Sequence, residues 1–198
     1  RIGDADQIRY STAHYSNVTV RDVTIRGWHE GGKVVNTTTI EFANVGFTDN
    51  TNGLVLQYAD DSVVEDTSFE GDKYALSLGA ASNTTIENVH IRGSDTRATI
   101  HTGLQIYESE HTTMRNSSIQ DSDLLPFYVQ APRNDRSPTH FVHDIDTSNT
   151  IDGKPIYYYT DETDLLIDAP TGVGFLGIVN SMNVTVRNYQ LSGMGQGL

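Results

Sequence analysis

Planar donors and tyrosines gather in one part of this chain. The stretch 92–102 (RGSDTRATIHT) carries Arg97 and His101, and the stretch 130–137 (QAPRNDRS) carries Arg133 and Arg136. Between them lie Gln105, Tyr107 and Tyr128. Arginine forks make paired hydrogen bonds to carboxylate or sulfate groups, and aromatic faces pack on sugar rings. These seven residues therefore make a candidate glycan-binding set, suited to an acidic or neutral polysaccharide. Turnover of such a ligand by a lyase or epimerase would need a base, an acid and a carboxylate neutraliser, roles open to Tyr107 or Tyr128, His101 and Arg133.

Metal chemistry has less to work with. The chain has seven histidines, three methionines and no cysteine. Soft copper sites want thiolate or thioether clusters or converging imidazoles. His140 and His143 are close enough in sequence to approach one another, but no third ligand accompanies them. The expectation is no cofactor and no metal site.

The elements that must position the glycan set are read from an internal repeat. Seven hexapeptides superimpose without a gap: VRDVTI at Val20, FANVGF at Phe42, VEDTSF at Val64, IENVHI at Ile86, MRNSSI at Met114, VHDIDT at Val142 and VRNYQL at Val186. A weaker copy, LIDAPT, begins at Leu166. The first four start 22 residues apart, and the next two steps are 28. Eight and ten residues before the key apolar position comes an apolar pair, such as Leu76 with Leu78 or Leu104 with Ile106. Residues two apart share one face of a strand. The spacing predicts an all-β, right-handed parallel β-helix of about eight coils of ~22 residues. An Asn/Asp ladder (Asp22, Asn44, Asp66, Asn88, Asn116, Asp144, Asp168, Asn188) would mark one corner, because these side chains tolerate left-handed backbone and bond locally.

That register locates the glycan set. The stretches 92–102 and 130–137 are insertions on either side of one strand face in adjacent coils, with Gln105, Tyr107 and Tyr128 pointing outward between them. The middle outward row reads Ser11, Lys33, Val55, Ser77, Gln105, Tyr128, Tyr157 and Gly177. It contains no acid, so the paired carboxylates of a glycosidase, about 5–9.5 Å apart, are missing from it. Tyr158 is expected to point inward, with Tyr157 and Tyr159 outward.

A formal charge of −13 disfavours nucleic acid and anionic membrane, which need clustered Lys and Arg. No apolar run is long enough to span a membrane. The repeat argues for a single domain over 1–198 that is a segment of a longer chain, since neither end shows a cap and both look cut. Its coil ends offer edges to neighbouring domains or chains. Five sequons occur, at Asn17, Asn36, Asn83, Asn116 and Asn183. Three of them share one register of the repeat, which reads as structural, and Asn116 falls on the ladder, where it is expected to be buried.

The repeats NVTVRDVTIRG, NTTIENVHIRG and NVTVRNYQLSG resemble those of the parallel β-helix carbohydrate-binding and sugar-hydrolase superfamily. The stretch DGKPIYYY (152–159), within a likeness that covers about residues 149–198, is similar, more narrowly, to the NosD-like β-helix proteins, of a type abundant among archaeal surface and secreted proteins. The resemblance implies an exported, extracellular or cell-surface protein with a structural or polysaccharide-binding role. It also brings in, behind the lyase or epimerase alternative, a copper-site accessory role.

Overall fold

The computed structural model describes residues 15–93, 102–121, 125–135, 137–168 and 172–188. Over these the chain winds into a parallel β-helix of about seven turns, close to the eight coils expected. A regular coil has one six-residue strand and two three-residue strands. The long strands Glu30–Val35, Asn52–Gln57, Tyr74–Gly79, Thr102–Tyr107 and Leu125–Gln130 stack in parallel as one sheet. Short strands such as Thr85–Glu87 and His90–Arg92 build the other faces, and in the first coils they merge into Tyr15–Arg26 and Thr37–Thr48.

Alternation along each strand makes the core. Leu54, Leu76, Leu104 and Phe127 stand in one register, and Leu56, Leu78, Ile106 and Val129 in the next but one. All eight are buried, each worth about 1.5–3 kcal/mol relative to exposure. Phe42, Val64, Ile86 and Met114 fill the column from the second face, and Phe47 stacks on Phe69 at 4.9 Å from the third.

Corners are made by single residues in the left-handed region. Asp22, Asn44, Asp66, Asn88 and Asn116 have φ between 47° and 56°. The alternation of acid and amide is functional there, since Asn44 Nδ2 donates to Asp22 Oδ1 (2.7 Å) and Asn88 Nδ2 to Asp66 Oδ1 (3.0 Å). Asn17, Thr39, Asp61, Asn83 and His111 form a second such column. All five sequon asparagines occupy positive-φ corners, and Asn116 is exposed rather than buried.

Two expectations fail in the later coils. In coil six, Asp144 lies within a strand opposite Thr113, and the residue level with Met114 is Ile145, not Val142. A 3-10 turn, Pro138–Phe141, and one extra residue at the next bend displace the register. Asp168 likewise ends a strand, with Ile167 buried and Leu166 half exposed. At Asp152 and Gly153, both at positive φ, the chain reverses, and Thr150–Ile151 pairs antiparallel with Lys154–Thr160. Tyr157 and Gly177 therefore leave the long-strand row.

Lys154–Thr160 pairs in parallel with Phe175–Val179 to make a two-stranded sheet with apolar residues on both faces. Ile156, Tyr158 and Phe175 pack on the main core, where Phe175 meets Phe127 edge-on at 4.8 Å. Tyr157, Tyr159, Leu176 and Ile178 face a second, smaller core with Ile167, Val173 and Val186. Tyr158 points inward as expected, but Tyr157 and Tyr159 are half-buried and stacked rather than solvated. Among the described residues no helix is long and apolar enough to cross a membrane.

Candidate functional site

The strands Thr102–Tyr107 and Leu125–Gln130 lie side by side, with Leu104, Ile106, Phe127 and Val129 buried beneath them. Their alternate residues face outward. Gln105 stands opposite Tyr128, and Tyr107 opposite Gln130. Of the seven residues singled out from the sequence, the structure brings together Gln105, Tyr107, Tyr128 and Arg133. Arg97, His101 and Arg136 lie outside the described residues.

Tyr128 donates its hydroxyl to Gln130 Oε1. The Tyr107 phenol is pushed up by the side chain of Glu108, to which it is hydrogen-bonded, and to a lesser degree by burial, while nearby Arg133 pulls it partly back. Arg133 is exposed and has no carboxylate partner among the described residues. Arg21, Arg26, Arg92, Arg115 and Arg187 are each ion-paired. Gln130 and Glu108 were missed in the sequence, although the outward alternation that selected Tyr107 and Tyr128 also passes through Gln130.

Beside this face lies a tighter cluster. The turn at Pro132 to Asp135 and the 3-10 turn Pro138–Phe141 form an arm over coils five and six. His140 on this arm has its Nε2 at 3.0 Å from Asp135 Oδ2 and its Nδ1 at 3.7 Å from Glu110 Oε1. Thr139 Oγ1 donates to Glu110 Oε1 at 2.6 Å. The backbone N–H of Ser137, and then His140, hold the Asp135 carboxyl below its usual range. His143 beneath is structural. Thr112 N–H donates to its Nδ1 (3.2 Å), its Nε2–H donates to the His140 carbonyl (3.1 Å), and burial pushes it down to about 4.

A parallel β-helix whose corners are laddered by Asn and Asp, with a neutral, tyrosine-bearing strand face, defines a β-helix repeat protein. The family model of the periplasmic copper-binding protein (NosD) matches residues 2–137, more than half of the chain. The chain belongs to that family. The match falls on the regular coils, whereas the narrower sequence likeness lies on residues 149–198. Neither the curated proteins nor the solved structures give a match.

The family's description names copper, and the donor set can be held against it. His143 has both ring nitrogens engaged. His140 faces carboxylates at opposite edges of its ring, and His90 Nδ1 is bonded to Ser118 Oγ. Met114 is buried in the core, and Met182 stands exposed at a distant bridge. Among the described residues no group of three or more His, Cys, Asp or Glu side chains is placed to hold one metal ion, so they do not fit a copper site.

Proposed function

We propose that this chain is an exported or cell-surface β-helix module that binds a polysaccharide along its long-strand face, with Gln105, Tyr107, Tyr128 and Arg133 at the centre. The observation that carries this reading is the make-up of that face. From Asn52–Gln57 to Leu125–Gln130 its outward positions hold amides, hydroxyls, tyrosines and small or apolar groups and no carboxylate, in a chain with 26 acids. The short-strand faces instead carry Glu65, Glu87 and Arg115 in one column. Amides orient sugar hydroxyls and tyrosine rings pack on sugar faces, and Arg133 at the rim suits an acidic substituent.

Binding is favoured over turnover. A lyase or epimerase base must give up its proton readily, yet Glu108 holds the Tyr107 phenol above its ordinary value. The test is a calorimetric panel of neutral, uronate and sulfated polysaccharides, with product analysis in parallel. Tyr128→Ala is expected to weaken binding about tenfold, from the stacking it removes. Arg133→Ala is expected to do so by about tenfold for charged glycans alone. Failure of every glycan to bind would leave the chain a spacer that stacks on its neighbours, and product formation would restore the enzyme.

A further inference from the structure

The arm over coils five and six is held by one imidazole set between two carboxylates. Asp135 accepts at Nε2, which fixes the neutral ring with its proton there and a lone pair at Nδ1. That lone pair is buried, has no hydrogen-bond partner, and lies 3.7 Å from the carboxylate oxygen Glu110 Oε1. A neutral ring thus aims a lone pair at an anion and leaves a buried polar atom unmatched, a costly arrangement. One added proton converts the same geometry into a cation flanked by two carboxylates, with Nδ1–H directed at Glu110. We infer that His140 is a proton-operated clasp, which in its protonated form pins the arm carrying Arg133 to coil five and on deprotonation releases it.

The surroundings are consistent with a device confined to this ring. The titratable groups in contact with it among the described residues are Asp135 from the arm and Glu110 from the coil-five corner. His143 and, behind it, Tyr158 face it from below. Burial pushes His143 down, so that it favours the neutral ring, and pushes the Tyr158 phenol up. While the arm is docked, Thr139 Oγ1 also donates to Glu110 Oε1, so the carboxylate is already held toward the ring. Nδ1 has no solvent access, which sets it apart from a catalytic base. The consequence for Arg133, tighter holding of an acidic ligand at lower pH, rests on the glycan reading; the clasp itself does not.

The experiment tracks the side-chain nitrogens of His140 by NMR across pH 5–9 on the full chain, with hydrogen-exchange protection of residues 131–141 measured over the same range. Protection is expected to fall about tenfold as His140 loses its proton, the scale of one charge-assisted hydrogen bond. Glu110→Gln, which removes the charge but keeps an oxygen acceptor for Thr139, should shrink that step, and His140→Gln should abolish it. Arm protection that ignores the titration of His140, or a step of unchanged size in Glu110→Gln, would overturn the clasp. Neither measurement contains a glycan, so a failed clasp and a failed binding site give different results.

Discussion

Asp72 sits at the corner before the strand Tyr74–Gly79, with Oδ1 accepting from the backbone and side-chain N–H groups of Asn50 and Oδ2 unpartnered. Burial outweighs these bonds and raises its carboxyl to about 6. Between the ordinary value of 3.8 and about 6, the folded chain keeps a proton that the unfolded chain has lost, so stability falls as pH rises through that window. His143 works the other way. It is held at about 4 against an ordinary 6.5, so the unfolded chain takes up the proton first, and stability is lost as pH falls through that window. The two trends oppose one another over much of the same range, and the intact protein should show a shallow profile. Thermal unfolding from pH 4 to 8 should separate them. Asp72→Asn is expected to leave only the loss toward acid, and His143→Gln only the loss toward alkali. His143→Gln should also lower stability by about 1–3 kcal/mol, because Thr112 N–H and the His140 carbonyl lose a partner. Identical profiles for all three proteins would refute the assignment.

Elements in this fold are set by corners and by close approach between coils. A Cβ on Gly103 would lie 2.4 Å from the Pro126 carbonyl oxygen, in backbone of the next coil, whereas one on Gly79 meets nothing nearer than 3.9 Å. Gly103→Ala should therefore cost about 1–3 kcal/mol by overpacking, and Gly79→Ala should stay within about 0.5 kcal/mol. Denaturant titration of the pair checks this, and equal losses would count against it. The same logic decides what the sequence could reveal. Phe42, Val64, Ile86 and Met114 recur with an Asn or Asp two residues on, because the corner demands it, so coils two to five were legible down to outward Gln105 and Tyr107. Coil six was not, because VHDIDT offers both Val142 and Ile145 to the key position and the 3-10 turn before it uses up chain. The reversal after Ile151 did have a signal. Asp-Gly is the preferred pair for a two-residue hairpin with both residues at positive φ, which Asp152 and Gly153 adopt. The His140 clasp left none, since Glu110 and Asp135 are brought to it by coil stacking and an irregular arm.

A stack of coils in which each touches only its neighbours unfolds cooperatively as long as every interface between neighbours is strong. Among the described residues one interface is of a different kind, the paired strands Lys154–Thr160 and Phe175–Val179 that separate a large core from a small one. Phe175 joins Ile156 in contacting the large core, edge-on to Phe127 and stacked on Tyr158, whose hydroxyl donates to the Phe141 carbonyl at 2.6 Å. Phe175→Ala removes the ring from both partners and should cost about 3–5 kcal/mol. Because that loss falls on the junction, it should also split the transition. Trp28, the sole tryptophan, is exposed near the other end of the coil stack and reports the early coils, while far-ultraviolet circular dichroism reports strands throughout. In the unaltered protein the two signals should change at one denaturant concentration. In Phe175→Ala the circular dichroism change should begin first, as the small core and its sheet melt while Trp28 keeps its native signal. Coincident transitions in the variant would mean that strand Leu125–Gln130 holds the stack together without Phe175, and that the second core contributes nothing to the stability of the first.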